Sequence, residues 1–306
     1  MNSIAVNVSK QAYYDPFNGY EDLQQHRIRS VGDATKRLTE DALRIMRAYR
    51  FMDQGDAGIW WPEPHLAEAL RQTKPMLARI APERIWSEFK RILLGNHASE
   101  ITQRMADDGV LKQLFAVDWM QDDERIQLLN RIDGEDSIDR LVVLMNDFST
   151  EDCQQLCTRL RLSGAEKKKL LFRHSKLTHL PVNLDSSVRI YAIALGPWCY
   201  QHLEIEKLFA RLKTSSREFT EADVQQRIER LCGLSINFDV EPLANGEFIM
   251  ERTNVPQGPK LGALKAWLFH EQIGRNLQTL QEMDTLLCTL AWQSEDTTGW
   301  PKLQFP

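Results

Sequence analysis

Thr39-Glu40-Asp41-Ala42-Leu43-Arg44-Ile45-Met46-Arg47-Ala48-Tyr49-Arg50-Phe51 reads as an amphipathic helix. At about 100° per residue, Glu40, Arg44 and Arg47 fall within about 60° of one another, with Asp41 on the rim beside Arg44. Ala42, Ile45, Met46 and Tyr49 lie on the opposite side and should pack inward. Thr39 is the expected N-cap, and acids at the next two positions suit the positive end of the helix dipole. Taken alone, two acids and two arginines on one face make a solvated row of i,i+3 and i,i+4 ion pairs. The sequence on either side gives the row a second reading.

Working outward, the period of about 3.6 recurs along most of the chain. Helices are predicted over roughly 64–71, 82–94, 98–107, 124–131, 137–146, 150–161, 165–172, 186–195, 202–213 and 221–231, by the same period and by caps. In the second of these, Ile85, Phe89 and Ile92 should face inward and Glu83, Arg84, Lys90 and Arg91 outward. Pro259 can occupy the first turn of a later helix, where Gly262 and Ala263 would permit close packing. Strand signal is confined to Ile4-Ala5-Val6-Asn7-Val8 with Ala12-Tyr13-Tyr14, a short hairpin. Its unpaired edges would invite pairing with another chain. The fold class is therefore mostly α, and the residues after Trp292 read as a weakly ordered end.

With 306 residues, the chain is long enough for two or three domains with real cores, and 42% hydrophobic with 26% charged residues is ordinary for a globular protein. Net charge is −5, so any nucleic-acid surface must be local. The local candidate runs from Arg159 to Lys176: Arg159, Arg161, Lys167, Lys168, Lys169, Arg173 and Lys176 are basic and only Glu166 is acidic. Such a run can follow a phosphate backbone, with an affinity that falls as salt rises; a solvated helix face is the plain alternative. Cys153, Cys157, Cys199, Cys232 and Cys288 are odd in number and scattered, with no secretory leader over residues 1–11, so a reducing cytoplasm is expected. Cys153 and Cys157 have no His or second Cys pair at zinc-ligand spacing, His270 lacks the second histidine of a zinc-protease helix, and His174 and His179 have no identifiable role. The longest apolar run is too short to span a membrane. Asp122-Asp123-Glu124 and Asp133-Gly134-Glu135-Asp136 read as solvated surface acids.

Four blocks in order, Asp15-Pro16-Phe17-Asn18-Gly19-Tyr20-Glu21-Asp22-Leu23, Ile28-Arg29-Ser30-Val31-Gly32-Asp33, Arg37-Leu38 running into Thr39 to Phe51, and Pro82-Glu83-Arg84-Ile85-Trp86-Ser87-Glu88-Phe89-Lys90-Arg91-Ile92-Leu93-Leu94, resemble the class II tRNA nucleotidyltransferase and bacterial poly(A) polymerase family. The resemblance implies an elongated multi-helical neck, body and tail, with the hairpin as the stub of the family's catalytic head. Asn2-Ser3-Ile4-Ala5 looks like the end of that head's R-R-D-F-T-x-N-A-x-A block. Implied boundaries are 1–36 for head remnant and hinge, 37–115 for a neck with the nucleotide-reading helix, 116–185 for an RNA-binding body and 186–306 for a tRNA-binding tail.

By the same resemblance, Asp15 and Gly19 belong to the hinge between head and neck. Asp41 and Arg44 would read the edge of the incoming base, a carboxylate accepting from an exocyclic amine while a guanidinium offers paired donors. Glu40 would hold Arg44 in place, and Arg47 would line the same site. Asn245-Gly246 with Met250, then Gly258-Pro259, Gly262 and Leu264, look like the tail segment that grips the outer part of a tRNA. The implied partners are the tRNA 3′ end and acceptor region, CTP and ATP, and a catalytic head supplied by a longer chain or a separate subunit. Mg²⁺ is expected only in that head, whose Gly-Ser loop and paired Asp-x-Asp are not found in these residues; without it the chain should be inactive. The implied function is the RNA-holding and nucleotide-reading part of an enzyme that adds CCA, or part of it, to tRNA. The alternatives are a non-catalytic RNA-binding derivative, a poly(A) polymerase fragment, and a helical scaffold with no RNA role.

Overall fold

A computed structural model describes residues 4–117, 119, 123–132, 136–212 and 217–305. Contacts divide the chain into two compact units, Met1–Ser175 and Lys176–Pro306. The hairpin forms as expected: β1 (Ala5–Asn7) pairs antiparallel with β2 (Ala12–Tyr14), with Ala5 opposite Tyr14. Asn2 and Ser3 of the block that resembles the head lie outside the described residues, as do Asp122, Asp133, Gly134 and Glu135.

The N-terminal unit continues with α1 (Gly19–Gln24), β3 (Arg27–Ile28), α2 (Ala34–Glu40) and α3 (Leu43–Met52). Next come β4 (Trp61–Pro62), α4 (Pro64–Thr73), α5 (Pro82–Leu93), α6 (Ala98–Asp107) and α7 (Val110–Phe115). Then α8 (Glu124–Gln127), α9 (Ser137–Leu144), α10 (Thr150–Arg159) and α11 (Gly164–His174) complete it. The short β3 and β4 pair in parallel, Arg27 opposite Trp61, a contact between distant segments that carries no local sequence signal.

The opening stretch is not one helix. Thr39 sits inside α2, its hydroxyl donating back to Thr35 O at 2.7 Å, and the chain breaks at Asp41, which is extended at φ −147° and ψ 97°. Asp41 Oδ1 accepts from Leu43 N–H at 3.1 Å and so does the capping expected of Thr39. The inward face is as expected: Ala42, Ile45, Met46 and Tyr49 are buried. Tyr49 donates its hydroxyl to the buried Asp108 at 2.9 Å, where Arg104 also bonds at 2.7 Å, fastening α3 to the end of α6.

In α5, Pro82 takes the first turn and Ile85, Phe89 and Ile92 face inward, joined by Trp86. Lys90 is not simply outward: half-buried, it donates to Glu166 Oε1 at 2.9 Å, as does Trp86 Nε1 at 3.1 Å. Glu166 closes the capping box of α11 with Ser163. Burial alone would raise the pKa of this carboxyl, but the Lys90 ammonium, the Ser163 amide and hydroxyl and the Trp86 indole hold it at about 2.

Asp123 and Asp136 are not free surface acids. Asp123 is buried, caps α8 and bonds Arg125 at 2.7 Å. Asp136 caps α9 and accepts from Lys169 and Arg173, both at 2.7 Å.

The C-terminal unit holds α12 (Asp185–Leu195), α13 (Trp198–Ala210), α14 (Glu221–Gly233), α15 (Gly246–Thr253), α16 (Pro259–Arg275) and α17 (Leu280–Thr289). Its first core surrounds a polar network. Arg217 Nε donates to the buried Glu206 at 2.6 Å, and Glu206 also accepts from Thr178 N–H at 2.7 Å. Alongside, His202 Nε2 donates to Lys176 O at 2.8 Å and its Nδ1 lies 2.9 Å from Tyr191 Oη. Burial keeps His202 neutral, with its pKa pushed down to about 4. A second core, with Leu264, Leu268 and Met283 at its centre, joins α15, α16 and α17.

Two expectations for the C-terminal third fail. Gly262 has no neighbour where a Cβ would stand, so it makes no close packing. The end of the chain is fastened: Trp300 lies 5.1 Å from Trp267, Phe305 is buried 4.9 Å from Tyr191, and Lys176 donates to Phe305 O at 2.6 Å. Isolated aromatics in a polar tail carry no periodic signal, so this docking was invisible locally. No described helix is long and apolar enough to cross a membrane.

Candidate nucleotide-reading cleft

A cleft of the N-terminal unit, about 580 Å³, lies between the hairpin, the segment after β3 and the joined helices α2 and α3. That size suits one small organic ligand. Four guanidinium groups line it, Arg29, Arg37, Arg44 and Arg47, together with apolar surface from Phe17, Val31 and Phe51.

Each arginine is held differently. Arg29 is locked: its Nε bonds Asp22 at 2.9 Å and its Nη2 donates to Phe17 O at 2.7 Å. Asp22 also binds Arg27 at 2.9 Å, so one carboxylate ties the start of α1 to β3. Arg37 and Arg44 share Glu40, at 2.9 and 3.3 Å, and Arg44 Nη1 donates to Arg37 O at 2.8 Å. Two cations on one half-exposed carboxylate leave a net positive charge. Arg47 has no ion pair among the described residues; its guanidinium stands 5.8 Å from the Phe51 ring. The cleft thus presents unneutralised donors beside apolar faces, which suits a nucleotide with an anionic and an aromatic part.

Of the residues singled out in the sequence, Arg44 and Arg47 line the cleft and Glu40 braces it, while Asp41 is not among its lining residues. Asp41 keeps one oxygen on Leu43 N–H, and its Oδ2 has no partner among the described residues. Asp15 accepts from Gly19 N–H and Tyr20 N–H, both at 2.8 Å, and these amides hold its carboxyl below the usual range. Asn18, in the left-handed region at φ 55°, makes the sharp entry to α1. Arg29 and Arg37 are the lining residues that sequence reasoning left without a role. Beginning the helix at Thr39 hid Arg37, which lies one turn before Glu40 on α2 and pairs with it.

The basic run divides on inspection. Arg161 is paired with Glu83 at 2.8 Å, Lys169 and Arg173 with Asp136, and Lys176 belongs to the other unit. Arg159, Lys167 and Lys168 are exposed and without an ion pair among the described residues. Cys153, Cys157 and Cys199 are buried, and burial pushes the Cys153 and Cys199 thiols up to about 12. Among the described residues no group of three or more His, Cys, Asp and Glu side chains could hold a metal ion.

A family described as "Probable RNA and SrmB- binding site of polymerase A" matches residues 62–117. The mitochondrial CCA tRNA nucleotidyltransferase 1 of Danio rerio is 37% identical over 160 residues, 52% of this chain and 37% of that protein. A CCA-adding enzyme of Leuconostoc citreum is 30% identical over 270 residues, 85% of this chain and 62% of that protein. The chain therefore spans between about a third and two thirds of the length of these relatives. Among solved structures, the Bacillus stearothermophilus CCA-adding enzyme in complex with CTP superposes with a TM-score of 0.67 at 20% identity, over 94% of this chain and 71% of that one. The Thermotoga maritima CCA-adding enzyme complexed with tRNA gives 0.61 at 21% identity, over 94% and 70%. At these identities the superpositions show a shared fold.

Proposed function

The chain belongs to the class II CCA-adding enzyme and poly(A) polymerase family, and from that premise we propose that it reads the incoming nucleotide and holds the tRNA during addition to the tRNA 3′ end. The observation that carries this reading is the arginine-lined cleft between α2–α3 and the segment after β3. Arg44 and Arg47 face CTP or ATP there and Glu40 sets the direction of Arg44; Asp41, which is outside the cleft lining, turns its free oxygen to the base's exocyclic amine when the nucleotide is bound. The Asp15 and Gly19 turn, with Asp22, fixes the hinge side of the cleft. Arg159, Lys167 and Lys168 supply the phosphate contacts of the basic run, since its other members in this unit are engaged by Glu83 and Asp136. The carboxylates that bind metal and transfer the nucleotide come from outside these residues, on a longer chain or a second subunit.

The experiment is tRNA binding by the purified chain across a salt series, followed by incorporation of labelled CTP and ATP with magnesium after a catalytic head is supplied. The triple variant Arg159→Glu, Lys167→Glu, Lys168→Glu should bind tRNA more weakly and flatten the slope of log K against log salt by about 2 to 3. Asp41→Ala and Arg44→Ala should alter the choice between CTP and ATP and leave tRNA affinity almost unchanged. Equal loss of tRNA affinity in both would remove these residues from nucleotide reading, and an unchanged salt slope would remove the basic run from the interface.

A further inference from the structure

A second cavity, about 280 Å³, lies within the C-terminal unit, between α12, the 235–240 segment and the end of α16. Arg189, on α12, is the one charged residue lining it. Its Nε is buried with no hydrogen-bond partner, and among the described residues the side chain has no ion pair. A buried cationic N–H without an acceptor is costly and uncommon in a folded protein.

Most of the other polar side chains around this cavity have their amide oxygens engaged within the chain; Gln278 Oε1 is the one amide oxygen without a partner among the described residues. Asn237 Oδ1 takes Asp239 N–H at 3.0 Å, and Asn276 Oδ1 takes Gln278 Nε2–H at 3.1 Å. Gln272 is satisfied at both ends, by Leu243 N–H at 2.9 Å and Glu241 O at 2.9 Å. What remains is the Arg189 guanidinium and the Nδ2 groups of Asn237 and Asn276 as donors, the Ser235 hydroxyl, which can donate or accept, and Gln278 Oε1 as the lone free amide acceptor, so donors outnumber acceptors. A site with one uncompensated positive charge and a surplus of donors matches a group that only accepts and carries negative charge.

We propose that this cavity binds a phosphate group, with Arg189 as its cation and Asn237 and Asn276 as neutral donors. The proposal goes beyond the reading given above, whose named cleft and phosphate-contacting residues all lie in the other unit. The phosphate can belong to an RNA backbone or to a free phosphate compound, and both share the chemistry that the cavity offers.

The test titrates inorganic phosphate, and separately a short oligoribonucleotide, into the full chain in chloride buffer, with Arg189→Gln, Arg189→Lys and Asn237→Asp beside the wild type. Asn237→Asp keeps the acceptor for Asp239 N–H but replaces a donor with a negative charge, so it tests the site even if an Arg189 variant folds poorly. Saturable phosphate binding is expected for the wild type, weakened about tenfold or more in Arg189→Gln and Asn237→Asp and less in Arg189→Lys. If oligoribonucleotide affinity falls in parallel, the bound phosphate is that of RNA; if it holds while phosphate binding is lost, the ligand is a free phosphate compound. Absence of phosphate binding by the wild type, or equal binding by Arg189→Gln and Asn237→Asp, overturns the proposal. Neither result bears on the cleft of the N-terminal unit, which CTP and ATP titration reads separately.

Discussion

Arg217 in the C-terminal unit and Arg47 in the N-terminal unit carry the same charge in opposite surroundings. Arg217 is 2% exposed, bonded to Glu206 and laid over the Phe209 ring at 4.5 Å. Arg47 reaches the cleft with its guanidinium over the Phe51 ring and no ion pair among the described residues. A guanidinium closed by a carboxylate of its own chain is part of the scaffold. One left open costs little at a half-exposed position and is available to a ligand. The difference predicts that the first is needed for folding and the second for binding.

Arg217→Met should have the largest effect, since it leaves Glu206 buried without its cation. A loss of about 3–5 kcal/mol in urea unfolding of the C-terminal unit is expected, and a loss below about 1 kcal/mol would break the contrast.

Glu166→Ala comes next. It removes a capping box and orphans the Trp86 indole, for about 2 kcal/mol. Because the folded carboxyl titrates at about 2 and the free one at 4.5, its contribution is full above about pH 4.5 and fades as pH falls toward 2. The variant's stability should therefore depend less on pH across that window, which acid titrations followed by circular dichroism would show.

Arg47→Ala should be the smallest of the three, within about 0.5 kcal/mol of wild type. A cost as large as that of Glu166→Ala would make Arg47 a structural residue.

The same contrast explains what could be read from the sequence. Ile45, Met46, Tyr49, Ile85 and Phe89 are buried because period alone decides which face of a helix packs. The break at Asp41 was not legible, since it turns on whether one carboxylate bonds Leu43 N–H or leaves the helix to continue. Asp123 and Asp136 looked like surface acids because their partners, Arg125 for one and Lys169 with Arg173 for the other, are selected by caps and tertiary contacts. Phe305 and Trp300 pack against residues far away in the chain, which no local pattern encodes. In the cleft, Arg44 and Arg47 were found from their shared face. Arg29 and Arg37 emerged only when β3 and α2 were brought beside them.

Titration of CTP and of ATP into the chain, with Arg44→Ala and Arg47→Ala at matched thermal stability, tests the nucleotide-reading cleft most directly. Saturable binding by the wild type, weakened about tenfold in each variant, is the predicted result. Wild-type binding that neither substitution changes, or no binding at all, would contradict it.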